Sequence, residues 1–172
     1  LVKNNKSGGL KIIEMPPPVN KEGHVLVKNI YSAVSIGTES SSIRFAEKNL
    51  VGKALERSEE FKKVINLMKT RGIYNAYKMA MNKLEIPSTL GYSTVGEIIN
   101  VGKNVKGFEV GDRVACGGAG YAIHAEVISV PINLCVKVPS SVDLKEASFA
   151  TIGSIALQGV RQAKVSIGEN IV

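Results

Sequence analysis

Soft-donor side chains are few in this 172-residue chain: Cys116, Cys135, His24 and His124. Thiolate and imidazole are preferred donors to zinc, so a site drawn from these four would be a Lewis acid. Their surroundings favour another reading. His24 falls in a turn, and His124 is expected on a strand two residues from Glu126, both as surface residues. Cys116 and Cys135 alternate into strand interiors, where a thiol serves as a small hydrophobe. An unorthodox metal site remains the alternative. CGGAGY, residues 116–121, has the glycine density of a phosphate-binding loop. It joins two strands rather than a strand to a helix, so it is expected to be a tight turn.

The net charge of +7 comes from 22 basic against 15 acidic residues, and the basic ones are scattered. The densest group, Lys53, Arg57, Lys62, Lys63, Lys69, Arg71, Lys78 and Lys83, is diluted by Glu56, Glu59 and Glu60. That composition reads as a solvated helical face, with a surface for an anionic partner or substrate as the alternative. Basic residues are not interleaved with aromatics, so no nucleic-acid partner is expected. No apolar run reaches the roughly 18 to 20 residues of a membrane span. LVKNNKSGGLK at the N-terminus lacks the features of a signal peptide, which points to the cytoplasm, with both thiols free.

The elements that must position any site fall into three stretches. Residues 1–38 read as strands: Leu10 to Glu14, a proline-rich turn, then HVLVKNIYSAVS, with Val25, Val27 and Asn29 alternating against Leu26, Lys28 and Ile30. From Ser40 to Glu85 the period becomes helical. A weaker helix is expected over Ser42 to Leu55, broken near Gly52. Phe61, Val64, Ile65 and Met68 form one stripe, capped by Ser58, with Glu59 and Glu60 in its first turn and Gly72 at its end. Ile73, Tyr77, Ala80, Met81 and Leu84 form another, closed by Pro87. The stripes predict a helical hairpin packed on the sheet, or else a lid.

From Thr94 onward short strands return, TVGEIINVG, DRVAC, YAIHAEVISV and NLCVKVP, separated by glycine turns. Strands this short and close predict a small, strongly curved barrel. Asp143 and Glu146 have capping-box spacing, with Val142 and Ala147 as the staple. ASFATIGSIALQGVRQAKV then predicts two helices broken around Gly153 and Ser154, before GENIV begins an apolar strand.

GYSTVGEIINVGKNVKGFEVGDRVAC resembles the region of medium-chain dehydrogenase/reductases where a Gly-His-Glu triplet precedes a strand, a glycine turn and Val-Gly-Asp-Arg-Val. Gly96, Gly102, Gly107 and Gly111 suit tight turns and close strand crossings. The resemblance runs from VLVKNIYSAVSIGTE through SFATIGSIALQGV. It implies a mainly β fold with α: a GroES-like, partly open curved β-barrel over residues 1–152, with a helical insertion at about 40–86. Residues 153–172 would be a connecting helix and the first residues of a Rossmann domain, whose opening strand GENIV resembles. The implied activity is hydride transfer between NAD or NADP and an alcohol or carbonyl, with the cofactor's glycines beyond Val172. The isolated chain is expected to be inactive.

The resemblance also locates zinc ligands, and this chain departs from them. The first cysteine's position is Ile36, the histidine's is Tyr92 with Ser93 in place of its acidic neighbour, and a third ligand's is Ala150. The four-cysteine structural zinc lobe is absent too, so no zinc is expected. What survives is Thr38, where relatives carry a hydroxyl that passes the substrate proton to solvent. A hydroxyl needs a neighbour to act as base. Glu39 would assist it or cap the following helix. Tyr92 would donate a hydrogen bond to a carbonyl oxygen in place of the metal, or fill the vacated space.

SIGTE, LVGKALER, LGYST, CGGAGYAIHAE and ATIGSIALQGVRQA together look like a zinc-lacking branch fused to a Gfo/Idh/MocA-type oxidoreductase, with bacteriochlorophyllide a dehydrogenase a more distant similar group. That branch implies a sugar-linked or anionic substrate, such as a nucleotide-sugar. Two other readings stand beside it: a non-catalytic interaction module with a vestigial cleft, and zinc-free reduction of quinones or enones.

Overall fold

The structure is a computed structural model that describes residues 1–49, 52, 66, 68–70, 72–166, 168 and 169. Two compact units emerge, one from Leu1–Met15 with Ser35–Leu90, the other from Pro16–Val34 with Gly91–Val172.

In the first unit, β1 (Val2–Lys3) lies between β2 (Leu10–Lys11) and β4 (Ser88–Thr89), antiparallel to both. The buried Lys3 ammonium donates to the Ser42 carbonyl at 3.1 Å and to the Ser42 hydroxyl, which ties β1 to helix α1 (Ile36–Glu47). Helix α2 spans Ile73–Glu85. Gly72 separates it from the preceding helical residues: its φ of 82° lies in the left-handed region, and its N–H still reaches the Met68 carbonyl at 3.1 Å.

Several expectations change here. The strand expected over Leu10 to Glu14 stops at Lys11, and Ile12 is 82% exposed. Helix α1 begins six residues before Ser42, so Ile36, Gly37 and Thr38 are helical rather than extended, and it ends at Glu47. The stripe on α2 is only partly covered: Ile73 is 72% exposed, whereas Met81 and Leu84 are half-buried. The expected helix carrying Phe61, Val64 and Ile65, and most of the basic cluster, lie outside the described residues.

The second unit holds the core. Its five antiparallel strands run in the order β7 (Val127–Pro131), β3 (His24–Ser32), β5 (Ser93–Val101), β6 (Arg113–Gly117) and β8 (Cys135–Lys137). β7 and β8 have no further strand on their outer sides among the described residues, so the sheet is open. Alternation explains the buried face: Val25, Val27, Ile98, Val114, Ile128 and Val130 are almost wholly enclosed. β3 carries two register shifts against β5, at Leu26/Val27 and Asn29/Tyr31. Such irregularities bend and twist a strand, as a curved sheet requires. Gly96 sits at that crossing, where a Cβ would press into the Val27 side chain at 2.8 Å and into the Lys28 backbone.

The expected strand YAIHAEVISV is shorter than its pattern, beginning only at Val127. The Asn29 side-chain amide donates to the Ile123 and Ala125 carbonyls at 3.2 and 2.7 Å, engaging backbone that would otherwise pair as a ladder. Asp143 caps helix α3 (Leu144–Ala147) as its spacing predicts, accepting from the Lys145 N–H at 2.7 Å. The chain then breaks at Ser148 and Phe149, and α4 runs unbroken over Ala150–Gln162. The expected break at Gly153 and Ser154 does not occur. Gly153 keeps its helical bond to Phe149, and the Ser154 hydroxyl folds back on the Ala150 carbonyl at 2.7 Å.

Candidate functional site

The start of β5 meets the start of α4, and the hydrogen bonds there are specific. Ser93 is buried, and its Oγ donates to the Ser148 carbonyl at 2.6 Å. The same Oγ accepts the Thr151 N–H at 3.4 Å. Thr151 in turn donates its hydroxyl to the Tyr92 carbonyl at 3.4 Å, and the Gly118 N–H reaches that carbonyl at 3.0 Å. Ala150 immediately precedes Thr151, so positions 92 and 150, far apart in sequence, adjoin through one residue. Tyr92 is half-buried there. Ser93, read from the sequence as a site residue, sits with its hydroxyl turned to the fold.

Gly91 precedes Tyr92 with a φ of 95°, and a Cβ on it would lie 2.8 Å from the His124 backbone nitrogen. Glycine is required on both counts. His124 itself differs from expectation: it is off the strand and partly buried, with Nδ1 2.8 Å from the Ser32 hydroxyl. Nothing in the sequence signals this pair, because its members are 92 positions apart and meet only through the β3·β5 pairing that puts Ser32 opposite Thr94. His24 opens β3 rather than lying in a turn, with its ring 6.5 Å from that of Tyr121.

Thr38 and Glu39 occur together on the first turn of α1, in the other unit. The Glu39 carboxylate accepts the Ser35 N–H at 3.3 Å, satisfying a donor at the helix start. Thr38 is exposed, and its hydroxyl lies 3.1 Å from that of Ser35. Ile36, at the head of this helix, is 79% exposed.

Neither the sec-butyl side chain of Ile36 nor the methyl of Ala150 offers a lone pair, so neither residue fits zinc ligation. Among the described residues, no group of three His, Cys, Asp or Glu side chains converges to hold a metal. The glycine turn at 117–120 does not fit a dinucleotide phosphate either: Gly118 and Gly120 have positive φ, but the turn leads from β6 into a bent segment, not a helix.

Two other ionisable features stand apart from this junction. Lys137 hydrogen-bonds Asp112 at 2.7 Å and, with the Glu109 N–H, holds its carboxyl below the usual value. Cys116 and Cys135 are free thiols 3.8 Å apart.

Residues 65–140 match the family model described as the alcohol dehydrogenase GroES-like domain. Over 46 residues the chain is 46% identical to L-threonine 3-dehydrogenase of Alteromonas mediterranea, 27% of this chain and 14% of that enzyme. Over 109 residues it is 27% identical to (R,R)-butanediol dehydrogenase of Bacillus subtilis, 48% of this chain and 31% of that enzyme. Among solved structures, the quinone oxidoreductase from Coxiella burnetii superposes on 98% of this chain and 46% of its own, with a TM-score of 0.66 at 19% identity. The Escherichia coli quinone oxidoreductase complexed with NADPH gives 0.63 at 17% identity, covering 94% of this chain and 40% of its own. The chain is thus similar to that domain over residues 65–140, its fold matches these solved oxidoreductases, and the relatives named are themselves oxidoreductases. It spans less than half the length of each of them.

Proposed function

We propose that this chain is the substrate-side domain of a zinc-independent, NAD(P)-dependent oxidoreductase that interconverts an alcohol and a carbonyl, with a sugar or nucleotide-sugar as the substrate class. The observation that carries this reading is the junction of β5 and α4. Positions 92 and 150 adjoin through Thr151, and they present a phenol and a methyl group rather than metal ligands. A phenol can donate a hydrogen bond to a carbonyl oxygen as negative charge develops on it, which is the task a Lewis acid would otherwise perform.

In this proposal Tyr92 holds the substrate oxygen, and Ser93 is a positioning residue, fixing the strand through Ser148. Thr38, exposed on the first turn of α1, is taken by itself as the hydroxyl for proton relay to solvent. Glu39 caps that turn and thereby orients it. Bound nicotinamide would supply or accept the hydride. It would be held by a Rossmann domain of a longer protein, because the residues described here do not fit its phosphates. No helix among the described residues is long and apolar enough to cross a membrane, in keeping with action in the cytoplasm.

The test is Tyr92→Phe in the full-length protein. A fall in kcat of about 10²-fold or more, at unchanged thermal stability, is expected from loss of a donor to a developing oxyanion. Unchanged kcat would remove Tyr92 from the mechanism. The engagement of Ser93 and Glu39 in hydrogen bonds of the fold favours a second reading, a non-catalytic module. Absence of nicotinamide-linked turnover in the full-length protein, across alcohols, sugars, quinones and enones, would select it.

A further inference from the structure

β6 and β8 form a short antiparallel ladder with Val114 opposite Lys137, Ala115 opposite Val136 and Cys116 opposite Cys135. The Val138 N–H donates to the Arg113 carbonyl at 2.8 Å, which marks 113 and 138 as a hydrogen-bonded pair. Antiparallel pairs alternate, so Ala115 and Val136 are hydrogen-bonded and Cys116 and Cys135 are not. The Cys135 N–H agrees: it turns instead to the Ile132 carbonyl. Opposed residues at a non-hydrogen-bonded site have Cα atoms about 4.5 Å apart, inside the range a disulfide spans. The two sulfurs already approach to 3.8 Å.

We propose that Cys116 and Cys135 are a peroxide-oxidisable dithiol, closing to a cross-strand disulfide that fastens the edge strand β8 to β6. The proposal is independent of the oxidoreductase reading above. Cys135 is the attacking thiol, being partly exposed on the edge strand, whereas Cys116 is buried. The hydrogen bond between the two sulfurs holds the Cys135 thiol below its usual range. That same hydrogen bond, and then burial, push Cys116 up, which suits a resolving thiol that gives up its proton only as it reacts.

The Cys135 thiolate attacks one oxygen of hydrogen peroxide. An S–O bond forms, the O–O bond breaks, and the departing hydroxide takes a proton to become water. The Cys116 sulfur then attacks the Cys135 sulfenic acid. The S–S bond forms, the S–O bond breaks, and the Cys116 proton leaves with the hydroxyl as a second water. Two thiols lose two electrons, and peroxide gains them.

The experiment treats the purified 172-residue chain with hydrogen peroxide and follows intact mass, free thiols and gel mobility without reductant. The expected result is a monomer lighter by about 2 Da with no free thiol, restored to the dithiol by dithiothreitol. In Cys116→Ser, Cys135 should stop at a sulfenic acid trapped by dimedone. In Cys135→Ser, Cys116 should react at least about tenfold more slowly, as a buried, protonated thiol does. A gain of oxygen without loss of both thiols in the wild-type chain, disulfide-linked dimers only, or equal rates in the two variants would overturn the proposal. The wild-type measurement stands even where a variant fails to fold.

Discussion

Removing the Ser93 hydroxyl would leave the buried Ser148 carbonyl without its 2.6 Å donor and the Thr151 N–H without its acceptor. Ser93→Ala should therefore destabilise the domain by about 1–3 kcal/mol, read from the urea midpoint, the usual cost of orphaning a buried polar group. A loss below about 0.5 kcal/mol would mean that this junction does not hold the strand. The residues of the junction were only half legible in the sequence. Resemblance pointed to positions 92, 93 and 150, because short motifs with glycine spacing survive in a linear pattern. It could not reveal that Thr151 joins them, nor that His124 meets Ser32, since those contacts exist only once β3, β5 and the turn after β6 are assembled.

At the scale of elements, the strands that alternate cleanly were readable: β3, β5 and β6 lie where Val25, Val27, Ile98 and Val114 place them. Elements ruled by hydrogen bonds outside the backbone ladder were not. The Asn29 amide engages the carbonyls of 123 and 125, and α4 runs through Gly153 and Ser154, which looked like a break, with the Ser154 hydroxyl on the Ala150 carbonyl. The helical stripe of α2 was only partly informative: periodicity reports amphipathicity, and Ile73 at its head is exposed while Met81 and Leu84 are half-buried.

The bond between Asp112 and Lys137 joins the start of β6 to β8 and makes a pH-dependent contribution. Asp112 has a folded-state value depressed from the ordinary 3.8, by Lys137 first and then by the Glu109 N–H. Its contribution is thus present above about pH 3.8 and is lost as pH falls through the lower folded-state value. Asp112→Asn should be less stable than the parent chain at pH 7, with the gap closing in strong acid. A gap that persists or widens on acidification, in urea unfolding, would contradict this assignment.

For the whole molecule, the open antiparallel sheet was legible, because glycines such as Gly96 mark crossings that admit no side chain. The division into two compact units was not, since Leu1–Met15 joins Ser35–Leu90 across a stretch of sequence that belongs to the other unit. The central proposal is that this chain serves an oxidoreductase that works without zinc, Ile36 and Ala150 having no lone pair to offer and Tyr92 standing in for the electrophile. The direct measurement is nicotinamide-linked turnover of the full-length protein before and after exhaustive dialysis against a zinc chelator, with metal content determined on the same samples. The account predicts unchanged turnover and far less than one zinc per chain. Turnover that is abolished by the chelator and restored by stoichiometric zinc would contradict it.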